Sequence, residues 1–158
     1  MSEDVHVIWL SRQPTVAIRF TCAPGEVGAM IGPVLTEIGA YLHEAKVEAD
    51  AEAVYARFLG GAGPEYEVEA GYTLHEDLPG YGRVRASELP DCEAAIASHT
   101  GPYRGMSEAT ATLREWMDAN GREPGGAPWE VYQHDPEATS ESPGQRTTEV
   151  YWPLKPKR

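Results

Sequence analysis

Near its end the chain reads Thr148-Glu149-Val150-Tyr151-Trp152-Pro153-Leu154. Side chains alternate along an extended strand, so Val150, Trp152 and Leu154 share one face while Glu149 and Tyr151 share the other. The apolar set belongs against helices. Glu149 and Tyr151 then face away from them, towards a cavity. A carboxylate among apolar and aromatic groups is costly unless a partner offsets its charge. A cationic ligand would do so, and a carboxylate so placed also suits general acid or base work. The plain alternative is a solvent-facing glutamate on an edge strand.

Aromatic residues come next: the chain holds eight Tyr, four Trp and two Phe. Aromatic walls give large contact area and attract cations, at about 0.5–2 kcal/mol each. Tyr132 falls on the same strand face as Glu130 and His134, opposite Val131, and Tyr55 is its counterpart earlier in the chain. Both serve either a ligand pocket or ordinary core packing. Trp116 lies on the apolar stripe of a helix, where core packing is its ordinary role. Tyr103 follows a turn and rims a pocket mouth or sits plainly on the surface. If the protein is a hydrolase, Glu149 activates water and Tyr132 holds the substrate's oxygen. The five histidines, His6, His43, His75, His99 and His134, show no metal spacing, although His134 could approach Glu149 across the strands. No Ser-His-Asp order, P-loop or dinucleotide-binding glycine pattern occurs, so neither a cofactor nor a metal is expected.

Composition narrows the partners. The 158 residues include 25 acidic and 13 basic ones, a formal net charge of −12. Without a concentrated basic stripe, such a surface is poorly suited to a phosphate backbone, and no nucleic-acid partner is expected. The only basic cluster, Lys155-Pro156-Lys157-Arg158, is too short to change that. Cys22 and Cys92 stand far apart in apolar stretches and read as buried free thiols of a reducing compartment. With no leader and no apolar run approaching about 18 residues, the chain is expected to be soluble and cytoplasmic, without a membrane partner.

The elements that must position these residues read as an α+β domain of two similar halves. Residues 5–10 and 15–21 are extended. Val27, Met30, Ile31, Val34, Leu35, Ile38, Leu42 and Ala45 then form one helical stripe. Strands follow at 53–58 and 66–74, around glycine-rich turn chemistry at 60–64. In the second half, 83–88 and 93–98 are extended, and Ser107 caps a helix carrying Met106, Ala109, Leu113, Trp116 and Met117. Asn120-Gly121 ends that helix. Residues 129–134 and 147–154 are closing strands, with a long polar loop at 135–146 between them. Three matches link the halves: Ala17-Ile18 with Ala95-Ile96, Val54-Tyr55 with Val131-Tyr132, and the segment from Glu69 with that from Glu149. Their offsets are 78, 77 and 80 residues. Such near-constancy argues for duplication, with halves at 1–78 and 83–154 of a single 1–158 domain and a linker at 77–82.

The stretch from Glu88 to Leu154 resembles the C-terminal half of the GyrI-like (AraC effector-binding) family. The resemblance rests on Leu89-Pro90, His99-Thr100-Gly101-Pro102-Tyr103, Glu115-Trp116-Met117-Asp118-Ala119-Asn120-Gly121, the run from Pro128 to Pro136, and the run from Thr148 to Leu154. The first half matches mainly through Glu69-Ala70-Gly71-Tyr72, with Thr21-Cys22-Ala23-Pro24-Gly25 where the second half has Thr-Gly-Pro-Tyr. The resemblance implies duplicated β-α-β-β (SHS2-type) halves with pseudo-two-fold symmetry, antiparallel strands, and helices packed on one face. It also implies a pocket between the halves for hydrophobic, often cationic, aromatic compounds. Its ligand-binding residues would be Glu149, Tyr151, Tyr132, Tyr55, Tyr103 and Trp116. Relatives fused to a helix-turn-helix domain act as drug-sensing regulators, others stand alone as drug-sequestering proteins, and a subset resembles hydrolases of cyclopropane-bearing alkylating natural products. This chain is expected to be a standalone member. The family name also raises gyrase or a regulator as a partner, for which only the acidic surface speaks.

Overall fold

Short β-rich runs broken by proline and glycine give this chain many strands and few helices. The structure is a computed structural model and describes residues 5–23, 26–47, 54–60, 65–100, 107–133 and 147–156. In chain order the elements begin with β1 (Val5–Leu10), β2 (Gln13–Cys22), α1 (Val27–Glu44), β3 (Val54–Gly60) and β4 (Tyr66–Thr73). They continue with β5 (Gly80–Tyr81), β6 (Val84–Leu89), β7 (Cys92–Thr100), α2 (Ser107–Ala119), β8 (Trp129–Gln133) and β9 (Thr147–Pro153). The fold class is α+β, and each strand pairing described below is antiparallel. The expected loop at 135–146, and Tyr103 and His134, lie outside the described residues.

The chain divides into two units, Arg12–Pro90 and Met1–Ser11 with Asp91–Arg158. In the first, the strands lie in the order β3-β4-β2-β6-β5. Val34, Ile38 and Leu42 bury the stripe of α1, and Val16, Ile18, Val68 and Ala70 are buried in the sheet. Val84 shares the face of Ala86 and its partner Val16, and it lines a cavity with Glu37 and Tyr41 of α1. The helix therefore covers the face of Val16 and Ile18. The other face carries Thr15, Ala17, Arg19, Tyr55, Glu69 and Gly71.

In the second unit the order is β1-β7-β9-β8. Ala95 and Ala97 are small enough to let α2 approach β7. The core under the helix joins them to Ala109, Leu113, Met117, Val150, Trp152 and Leu154. The left-handed residue after α2 is Gly121, at φ 64°, and Arg122 N–H closes the helix on the Met117 carbonyl at 2.9 Å. That agrees with the stop expected at Asn120-Gly121.

Two expectations need correction. Residues 5–10 pair with β7 and residues 84–89 pair with β2, so each leading strand lies in the unit opposite to the half expected for it. Short apolar strands carry no sequence mark of their partner, and pairing decides. The segment 77–82 is not a link between units: Gly80 and Tyr81 form β5 against β6 within the Arg12–Pro90 unit. The units share one order of elements, β2-α1-β3-β4 and β7-α2-β8-β9, but the sheet register does not keep the sequence matches. With Glu69 set on Glu149, Ala17 corresponds to Ile96 and Tyr55 to Trp129. The matches to Ala95 and Tyr132 thus fall on non-equivalent positions.

Candidate functional site

The alternation expected of β9 is present. Val150, Trp152 and Leu154 are buried in the core under α2, so Glu149 and Tyr151 point to the other face. Directly paired residues in an antiparallel ladder share a face. Trp129 pairs with Tyr151 and Val131 with Glu149, while β7 adds Ile96 beside Tyr151 and Ser98 beside Glu149. The indole of Trp129 and the ring of Tyr151 stack nearly parallel, with centroids 5.4 Å apart and planes 5° apart. Trp129 is buried, whereas Tyr151 and Glu149 are partly exposed. Tyr151 Oη donates to Glu149 Oε1 at 3.3 Å. Burial, followed by the neighbouring Glu149 charge, pushes the Tyr151 hydroxyl up to about 12. The phenol keeps its proton at neutral pH and stays a donor to the carboxylate. The result is an aromatic slab edged by one carboxylate, suited to a flat or bulky cation.

In the Arg12–Pro90 unit, the sheet face turned away from α1 holds a different arrangement. Tyr55 Oη donates to Glu69 Oε2 at 2.8 Å and lies 2.9 Å from Thr15 Oγ1. Ser87 Oγ donates to Glu69 Oε1 at 2.9 Å, and Arg19 Nε to the same oxygen at 3.2 Å. Glu69, Tyr55 and Thr15 are all at most 2% exposed. Burial first, then the Glu69 charge, holds the Tyr55 hydroxyl well above the usual tyrosine range. Three donors around one buried carboxylate make a satisfied network that fixes β2, β3, β4 and β6 against one another. Tyr55 is committed to that network rather than offered to a ligand.

The other candidates separate. Tyr132 pairs with Thr148 and Glu130 with Val150, which puts both on the face opposite Glu149. Tyr132 Oη donates to the buried Glu130 at 2.8 Å. Tyr132 therefore does not stand beside Glu149 to hold the oxygen of a substrate whose water Glu149 activates: a one-residue step along a strand reverses the face. Trp116 packs against the core under α2. Trp129, missed as a candidate, is the structural partner of Tyr151, and its signal was the register of β8 on β9. Among the described residues, no group of three or more His, Cys, Asp or Glu could hold a metal. No disulfide joins Cys22, which is buried as expected, to Cys92, which is only half-buried. Among the described residues, no helix is long and apolar enough to cross a membrane.

Comparison with known families matches residues 3–155 to the GyrI-like small molecule binding domain. The chain belongs to that family. Among solved structures it is similar to the EcmrR C-terminal domain at 19% identity and a TM-score of 0.81, covering 99% of this chain and all of that one. It spans 59% of the longer EcmrR chain seen in a complex with DNA. It is also similar to a hydrolase from Listeria innocua, at 11% identity and a TM-score of 0.64 over 98% of this chain and 93% of that one. A further likeness is to SAV2435 bound to tetraphenylphosphonium, at 13% identity and a TM-score of 0.55 over 96% of this chain and 94% of that one. A search of curated proteins found no significant match. At these identities the likeness is one of fold.

Proposed function

We propose that the chain binds small hydrophobic aromatic cations at the Glu149 face of β8 and β9, as a drug- or toxin-sensing or sequestering domain. The observation that carries this reading is the Trp129–Tyr151 stack with Glu149 at its edge. Buried Trp129 holds Tyr151 flat. Tyr151 and Glu149, partly exposed, are the groups a ligand meets. A cation there gains the ring's negative face and the carboxylate together, while an anion meets repulsion from both. The fold-level likeness to a protein bound to tetraphenylphosphonium speaks for the same ligand chemistry.

Hydrolysis of strained alkylating compounds is the second reading, and the fold-level likeness to a Listeria innocua hydrolase is the observation that favours it. It must do without Tyr132, which lies on the opposite face. Tyr151 takes that place, as a neutral hydroxyl beside the carboxylate.

Titration of ¹⁵N-labelled protein with tetraphenylphosphonium tests the binding reading. Amides of residues 129–131 and 149–151 should shift saturably and together. A titration that leaves all of them in place contradicts the assignment of this face.

A further inference from the structure

A cavity of about 780 Å³ lies on the α1 side of the Arg12–Pro90 unit, away from the face that carries Glu69. That volume falls within the range of small-molecule sites, about 300–1,000 Å³. Its walls are the last turns of α1 and the β5–β6 hairpin, and three contacts fix them. Gly80 sits at φ 81°, where a Cβ would meet the Val84 carbonyl oxygen at 2.4 Å, so only glycine lets β5 close on β6. The Gly80 N–H donates to Tyr41 Oη at 3.0 Å, which fastens the hairpin to the helix. Arg83 forks onto Glu37, with Nη2 2.8 Å from Oε1 and Nε 3.1 Å from Oε2.

The charges left over have one sign. Glu37 and Arg83 answer each other, and the guanidinium holds the Glu37 carboxyl below its ordinary range. Glu44 also lines the cavity and has no ion pair among the described residues. It is the last residue of α1, where the helix carbonyls add a partial negative charge. Tyr81, 83% exposed at the rim, places a large apolar ring in water without a packing partner to explain it. Tyr41 supplies a second ring.

We propose that this cavity is a second ligand site, for an organic cation with an apolar aromatic body. The ring of the ligand lies against Tyr81 and Tyr41, and its charge sits between Glu44 and the end of α1. Arg83 does not attract an anion there, because Glu37 takes up its fork. The site is independent of the Glu149 face, and neither reading needs the other.

The test is an amide-shift titration of ¹⁵N-labelled protein with tetraphenylphosphonium and, separately, with neutral triphenylphosphine oxide. Tetraphenylphosphonium should shift Gly80, Tyr81 and Gly82 saturably, and the oxide should bind there at least about fivefold more weakly. Glu44→Gln and Tyr81→Ala should each weaken the cation's affinity at these amides by roughly five- to tenfold. Both positions are exposed, so folding is not at stake. Glu149→Gln should leave the shifts in place. The proposal is overturned if these amides do not saturate, or if the oxide binds as well as the cation. It is equally overturned if both cavity variants bind as wild type does, or if the shifts vanish in Glu149→Gln.

Discussion

Gly71→Ala should destabilise the Arg12–Pro90 unit by about 3 kcal/mol or more, at or beyond the upper end of ordinary overpacking. Gly71 lies in β4 between Ala17 of β2 and Tyr55 of β3, in the middle of the sheet. A Cβ built there meets the Val16 carbonyl oxygen at 2.0 Å, the Ala17 Cα at 2.8 Å and the Ala17 Cβ at 2.9 Å. None of these is the movable end of a long side chain. Two are backbone atoms of a strand bonded on both sides. To admit a methyl group, β2 and β4 must separate, which breaks ladder bonds and pulls Glu69 away from its donors. Thermal unfolding followed by near-ultraviolet circular dichroism measures the effect. A midpoint within about 3 °C of wild type, worth roughly 1 kcal/mol in a chain of this size, contradicts the claim of close approach.

The buried carboxylate gives the second large effect. Glu69→Ala should cost about 3 kcal/mol, because the fully buried Tyr55 hydroxyl loses its strongest acceptor and Ser87 and Arg19 lose theirs. Arg19 is half exposed and finds water again, so most of the loss belongs to Tyr55 and to the space left behind. Tyr55→Phe should cost only about 1 kcal/mol, since it removes a donor from a carboxylate that keeps two others. The double variant should lose less than the sum of the two, as expected of groups in one network. Urea unfolding of the four proteins supplies the cycle. A loss below about 1 kcal/mol for Glu69→Ala, or strict additivity, would show that the network does not hold these strands.

Much of this arrangement was legible from residue pattern. The helical stripe through Val34, Ile38 and Leu42, the helix stop at Gly121, and the opposed faces of Glu149 and Val150 all follow from periodicity and turn chemistry. What escaped were quantities fixed by pairing. The partner of β1 is fixed by long-range pairing with β7, which leaves no mark in its own six residues. Pairing Tyr132 with Glu149 as the hydroxyl that holds a substrate's oxygen needs both on one face, and face depends on register, which neither strand shows by itself. In the sheet Val131 stands opposite Glu149, and a one-residue difference turns Tyr132 to the other face. Pattern leaves Tyr55 open between ligand wall and core packing, because an aromatic in a strand looks the same whether its hydroxyl is free or bound. Only the position of Glu69 shows that it is bound. The same register brings Trp129 under Tyr151, a pairing with no local sequence mark.

Charge recognition at Glu149 is the central claim, and a four-way binding comparison tests it most directly. Glu149→Gln keeps the size and hydrogen bonding of the side chain and removes its charge. Calorimetry with tetraphenylphosphonium and with neutral triphenylphosphine oxide, on a Glu44→Gln/Tyr81→Ala background that weakens the second cavity at both its charge and its ring, gives the four affinities. The cation should lose about 1–3 kcal/mol, or roughly five- to 150-fold, in the variant. The neutral oxide should bind as before or slightly better, because no charge is desolvated beneath it. Equal losses for both compounds would make Glu149 a structural residue, and no loss for either would place the ligand elsewhere.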